Sequence, residues 1–156
     1  MNDSFHTMPD KIVVFTLDEL SYALSLPSVE KVIHAIEIRA IPKAPEIIAG
    51  IINVRGQIIP VVDIRKRLGI MAREMDLNDR IIIADTGKRK VAIVVDSVTG
   101  ISNLAPGQVA AARETLSFAE HIRGVAKVDD GLILIFDLGR FLSLDEENAL
   151  EQVLKK

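Results

Sequence analysis

The sequence predicts a mainly β fold of two small closed barrels packed against each other. Three observations carry that expectation. Short apolar runs recur at roughly 8–12-residue spacing with turn residues between them, the pattern of a barrel or sandwich. Few stretches have helical periodicity, so a parallel sheet with crossover helices is disfavoured. Two stretches 74 positions apart repeat each other, Ile48–Leu68 and Ile122–Leu142. Each reads as Ile-x-Gly, a short strand, a polar turn, an apolar strand, an Asp and a helix start. A repeat of that kind divides the chain into two similar lobes.

Residues 1–10 are polar and are expected to form a flexible N-terminus without the pattern of a secretion signal. Lys11–Leu17 is rich in β-branched residues and predicts a buried strand. After the polar turn Asp18-Glu19, Ser21–Leu26 alternates polar and apolar residues, as a half-buried strand does. Pro27 interrupts it and suits a short helical turn over Ser28-Val29-Glu30. Val32–Ile41 is read as a strand ending at Pro42, and Pro45–Ile48 as one helical turn leading into the first repeat.

Asp63 is placed to N-cap a short helix over Ile64–Leu68 that Gly69 would end. Met71–Asp79 is polar and charged and is expected to be a mobile loop. Arg80–Ala84 and Val91–Val95 are apolar strands joined by the turn signal Asp85–Lys90. Asp96–Leu104 alternates again, and Ala105–Ser117 is read as a loop before the second repeat. Ser143-Leu144-Asp145-Glu146 fits a capping box opening a final helix through Leu154. That helix has Leu150, Val153 and Leu154 on one face, and Lys155-Lys156 suits its negative end. The total is nine or ten strands.

Composition narrows the function. The net charge is −3, so no basic field favours nucleic acid or an anionic membrane. There is no Cys, which removes disulfides and thiolate metal sites. No apolar run reaches the roughly 18 residues of a membrane-spanning helix, and the cytoplasm is the expected location. One Tyr, five Phe and no Trp leave few rings for stacking on bases or sugars.

Catalytic groupings are hard to assemble. Asp63, Asp96 and Asp137 each end an apolar strand. Converging, they would hold a divalent metal or act as acid and base, which would make a small β-barrel enzyme. Asp63 and Asp137 are better explained as helix caps, since equivalent residues of two lobes do not meet at one site. His6, His34 and His121 are scattered, with no metal-ligand spacing. Lys88-Arg89-Lys90 is a solvated hairpin tip, because the preceding residues lack the glycine spacing of a phosphate loop. Arg55 is different. It sits in the turn Asn53–Gln57 between two very apolar strands, where the second repeat has Asp129-Asp130-Gly131. A guanidinium beside apolar surface is a common interface anchor, so binding outranks catalysis.

Gly50–Arg65 resembles the signature of the CheW-like domain family, the chemotaxis coupling proteins: Gly-apolar-x-Asn-apolar-Arg-Gly, an apolar stretch, Pro, another apolar stretch and Asp-Leu-Arg. Val91–Val98 resembles the family's second block, and Ile122–Val125 with Leu132–Leu142 its third. The resemblance covers residues 11–142, with a C-terminal helix over 143–156. It implies two five-stranded SH3-like barrels on a shared core and a stand-alone, non-enzymatic adaptor. Such an adaptor joins the cytoplasmic tips of chemoreceptors to the regulatory domain of a CheA-type histidine kinase. No cofactor, metal, nucleic acid or membrane insertion is implied. Carried over by position, the receptor groove would involve Val29, Gly50, Asn53, Arg55, Gly56 and Val98. Two departures stand out. Lys31 stands where the family commonly has Glu, which suggests another receptor class or a paralogous pathway such as pilus motility. The turn at Asp18-Glu19-Leu20 lacks the family's usual Gly.

Overall fold

The computed structural model describes residues 10–105, 107–111, 121–128 and 131–154. Eleven strands are found among them: β1 Lys11–Leu17, β2 Leu20–Ser25, β3 Val29–His34, β4 Ile48–Val54, β5 Gln57–Val62, β6 Arg80–Asp85, β7 Lys90–Val95, β8 Ser97–Asn103, β9 Val109–Ala111, β10 Ile122–Val128 and β11 Gly131–Phe136. Helix α1 spans Ile64–Leu68 and helix α2 spans Leu144–Leu154, with single 3-10 turns at Leu26–Ser28 and Leu138–Arg140.

The strands form two sheets. The first lobe is ordered β3-β6-β7-β5-β4 and the second β8-β1-β2-β11-β10-β9. In both lobes the chain leaves one edge strand and returns to pair with the opposite edge. After β3, Arg39 and Ile51 of β4 exchange two backbone hydrogen bonds of 2.9 Å. After β8, β9 pairs with β10. These connections curl each sheet into a barrel and cover part of its open edges, with β3 and β8 as edge strands of their sheets.

Strand alternation explains the continuous apolar runs. In β6, Ile81 and Ile83 enter the first barrel's core while Ile82 and Ala84 face the other lobe. In β11, Ile133 and Ile135 enter the second barrel's core while Phe136 faces the first lobe. Both faces of these strands are buried, so apolar residues occupy consecutive positions. Phe15, Tyr22, Phe136 and Phe141 meet in the shared core with ring centroids 5.4–6.1 Å apart. All the rings among the described residues therefore lie at the lobe junction.

The repeat is realised to the residue. Ile48 and Gly50 flank a bulge in β4, and Ile122 and Gly124, 74 positions on, flank one in β10. Val61 pairs in parallel with Ala92, and Ile135 with Ala23. The backbone N–H of Asp63 donates to Ile47, and that of Asp137 to His121.

The structure extends the symmetry beyond the repeated text. By pairing register, strands β3, β6 and β7 correspond to β8, β1 and β2 at an offset of 69 positions: Ile81 pairs with Val94 as Ile12 pairs with Ser25, and Val29 with Ala84 as Val98 with Phe15. Glu30 and Thr99 are the extra residues of matching bulges. The chain starts in the second lobe, builds the first, and returns to finish the second.

Several expectations change. The turn near Pro27 falls on Leu26–Ser28, and Val29 already belongs to β3 because its side chain packs on the shared core. The predicted strand over 32–41 is β3 followed by one pairing at Arg39. Part of the predicted loop 105–117 is β9, which gives the second sheet a sixth strand, and residues 112–117 lie outside the described ones. Residues 1–9 and Lys155-Lys156 also lie outside them. Within the 71–79 loop, which is exposed from Met71 to Asn78, Arg73 forks onto Asp79 at 2.8 and 3.1 Å and also reaches Asp96.

Helix α2 opens with the predicted capping box. Ser143 Oγ accepts from the Glu146 N–H at 3.1 Å and Glu146 Oε1 accepts from the Ser143 N–H at 2.8 Å. Its Leu150 is fully buried in the shared core.

Candidate functional site

The β4–β5 turn has two central residues, Arg55 and Gly56, with φ of 53° and 88°. Left-handed backbone at both positions matches the twist of a hairpin and costs Gly56 little. Asn53 Oδ1 accepts from the Gly56 N–H at 2.8 Å and holds the turn. Arg55 is exposed and makes no hydrogen bond or ion pair among the described residues. Beside it on β5, Ile58 is 48% exposed. The turn therefore presents a cation next to an apolar side chain, the pairing that suits a protein partner.

The other three residues separate into two environments. Val29 and Val98 occupy equivalent positions on edge strands β3 and β8, each half-buried against the shared core and each followed by a bulge residue. Gly50 is buried, and a Cβ on it would lie 2.4 Å from the Arg39 carbonyl oxygen. Its missing side chain admits the protein's own 38–39 segment. The structure thus joins Val29 to Val98 through the core, joins Asn53, Arg55 and Gly56 through one turn, and encloses Gly50. Lys31 is exposed on β3, whereas Glu30 pairs with Lys90 at 2.9 Å.

The three strand-ending Asp residues do not converge. Asp63 Oδ1 accepts from the Lys66 N–H at 3.0 Å and caps α1. Asp137 Oδ1 accepts from the Gly139 N–H at 3.1 Å and caps the second 3-10 turn. Asp96 belongs to an ion network that sequence reasoning missed. Arg65 of α1 reaches Asp96 at 2.9 Å and Asp18 of the β1–β2 turn at 3.0 Å. Arg73 bridges Asp96 to Asp79. The Asp18 N–H donates to Asp96 Oδ2 at 2.8 Å.

The Arg65 side chain is only 10% exposed, so these contacts are shielded and tie the first lobe's helix to the second lobe's turn. Burial pushes the Asp96 carboxyl up, but the Asp18 amide and the Arg73 and Arg65 guanidinium groups outweigh it and hold it below the usual carboxylate range. A signal for this network existed. Arg65 has no counterpart in the second repeat, where Gly139 stands.

The Asp18-Glu19 turn takes left-handed φ of 51° and 71° without a glycine. Asp18 is held there by Arg65 and Asp96. The Lys88-Arg89-Lys90 tip is only partly free: Arg89 Nε pairs with Glu147 at 2.9 Å. His34 is exposed, and His121 Nδ1 lies 3.0 Å from the Arg140 carbonyl oxygen. Among the described residues no three His, Asp or Glu side chains gather as a metal site, and no helix is long and apolar enough to cross a membrane.

Comparison with known proteins agrees with this arrangement. The CheW-like domain matches residues 11–146. The chemotaxis protein CheW of Thermotoga maritima is 32% identical over 85% of this chain and 87% of its own length. That of Klebsiella aerogenes is 28% identical over 96% and 91%. The crystal structure of the scaffolding protein TtCheW from Thermoanaerobacter tengcongensis superposes with a TM-score of 0.79 at 36% identity, covering 89% of this chain and 96% of that one.

Proposed function

Because the chain belongs to the CheW-like domain family, we propose that it is a non-enzymatic chemotaxis adaptor working in the cytoplasm. It couples the cytoplasmic tips of chemoreceptors to the regulatory domain of a CheA-type histidine kinase. The relatives named for chemotaxis, and the solved one named as a scaffold, support this reading. The adaptor reading also accords with Asp63 and Asp137 each capping a helical turn and Asp96 being ion-paired, so that these three do not gather at one site.

The receptor contact is proposed on Arg55 and its turn partners Asn53 and Gly56, with Val29 and Val98 supplying apolar surface. Gly50 contributes by seating the 38–39 segment beneath. The observation that carries this assignment is Arg55, whose backbone is held at the tip of a left-handed turn and whose side chain is exposed and unpaired among the described residues, with exposed Ile58 on the following strand. Arg55→Glu is expected to leave the fold intact, since the side chain is exposed and makes no hydrogen bond or ion pair among the described residues, and to weaken binding to a receptor-tip fragment at least about tenfold in co-sedimentation. Unchanged binding by a folded variant removes Arg55 from the site. Exposed Lys31 favours a receptor carrying an acidic group opposite it, which makes a paralogous pathway such as pilus motility the second reading.

A further inference from the structure

The pseudo-symmetry of the lobes pairs two clefts, and the pair is unequal. In the first lobe a cleft of about 140 Å³ lies beside α1, lined by Ala49, Val62, Asp63, Arg65, Val94 and Asp96 among others. The positions equivalent to these six are Arg123, Phe136, Asp137, Gly139, Ser25 and Pro27, and all of them line a cleft of about 880 Å³ in the second lobe. The two cavities are the same place in the fold.

They differ in what fills them. The first is occupied by the protein's own ion network of Asp18, Arg65 and Asp96, with Arg73 strapped across from the 71–79 loop. At the second, Gly87 replaces Asp18, Gly139 replaces Arg65 and Pro27 replaces Asp96. All three members of the network are missing. The strap is missing too. The chain after the second 3-10 turn goes into α2, whose Glu146 and Glu147 pair with Arg67 and Arg89 of the first lobe, and no α2 residue lines the second cleft.

Two cations appear where the first lobe has none: Arg123 stands in place of Ala49 and Lys88 in place of Glu19. Arg140 at the rim keeps the positive charge that Lys66 carries at the equivalent position. The two carboxylates present are already committed. Asp85 accepts from the Gly87 N–H at 2.8 Å, and Asp137 accepts from the Gly139 N–H at 3.1 Å and pairs with Arg140 at 3.8 Å, which leaves Lys88 and Arg123 as the cations that mark this cleft.

We propose that this second-lobe cleft is a docking pocket for an acidic segment of a partner protein, whose carboxylates take the place that Asp18 and Asp96 fill in the twin. Loss of the internal carboxylates opens the volume, and the gained cations set the sign of the charge that enters. The pocket lies apart from the Arg55 turn, so it does not depend on the receptor assignment.

The test is an NMR titration of the full chain with a short Glu/Asp-rich peptide, alongside the same peptide with Gln/Asn and inorganic phosphate at equal concentration. The acidic peptide is expected to shift the amide signals of Gly87, Lys88, Arg123 and Gly139 saturably and to leave that of Arg65 in place. Lys88→Glu, at an exposed tip, is expected to weaken binding at least about tenfold. Gly139→Glu plugs the cleft with an internal carboxylate and is expected to abolish it; a Cβ there meets only Asp137 Oδ1, at 3.4 Å, and the Thr86 carbonyl oxygen. No shifts with the acidic peptide, equal shifts with the amide peptide or phosphate, or full binding by Lys88→Glu each overturn the proposal. None of these readouts involves kinase or receptor, so their failure leaves the adaptor reading standing and the reverse also holds.

Discussion

At the scale of single residues, Asp96 does the most to fix how the lobes meet. It joins two guanidinium groups and the Asp18 amide across the lobe boundary. Removing one partner of a shielded pair strands the others, so Asp96→Asn is expected to lower unfolding free energy at pH 7 by about 2 kcal/mol in urea titrations. The pH dependence has a definite sign. The folded carboxyl is held below its unfolded value of about 3.9, so its contribution is complete above that pH and disappears as pH falls through the lower folded value. Wild type and Asp96→Asn should therefore converge in stability at acid pH; a gap that stays constant would contradict the network's role. Glu19 gives an opposite case. Its left-handed φ of 71° strains a non-glycine residue, and Glu19→Gly should raise the melting stability by about 0.5–1 kcal/mol. The capping roles of Asp63 and Asp137 were legible in the sequence because a cap is a local device, needing only its own next few residues. The Arg65 network was not. Its members are up to 78 positions apart, and nothing local distinguishes a buried Arg from a solvated one.

At the scale of elements, the strands of the shared core were legible because burial on both faces writes an unbroken apolar run. β3 and β9 were not. β3 is half exposed and carries a bulge at Glu30, which destroys alternation, and β9 is three residues long. Helix α2 was readable from its capping box, but not what it does. It lays Leu150 into the shared core and ties Glu146 to Arg67 at 2.6 Å, closing over the first lobe although it follows the second. Leu150→Ala should cost about 3 kcal/mol from lost burial and an unfilled cavity. Ser143→Ala should cost about 1 kcal/mol by removing one half of the box. Thermal unfolding of both variants checks the order. A Leu150→Ala protein as stable as wild type would show that α2 is an accessory on the surface.

At the scale of the molecule, the repeat revealed two lobes, but not that the second is assembled from both ends of the chain. The repeated text covers only one hairpin and its cap, while β1 and β2 correspond to β6 and β7 by backbone register with little shared sequence. One consequence is cooperative folding. Each lobe buries one face of its strands only against the other, so neither is expected to persist alone, and calorimetric and van't Hoff enthalpies should agree. The partner surfaces proposed above, the Arg55 turn, the valines beside the bulges and the second-lobe cleft, are accordingly turns, bulges and a cleft rather than long strand edges. The most direct measurement of the central claim is a calorimetric titration of this protein with the isolated regulatory domain of its CheA-type kinase, with neither nucleotide nor metal present. A saturable association at micromolar concentrations is the predicted result. Two folded partners that mix at those concentrations without heat or complex formation would contradict it.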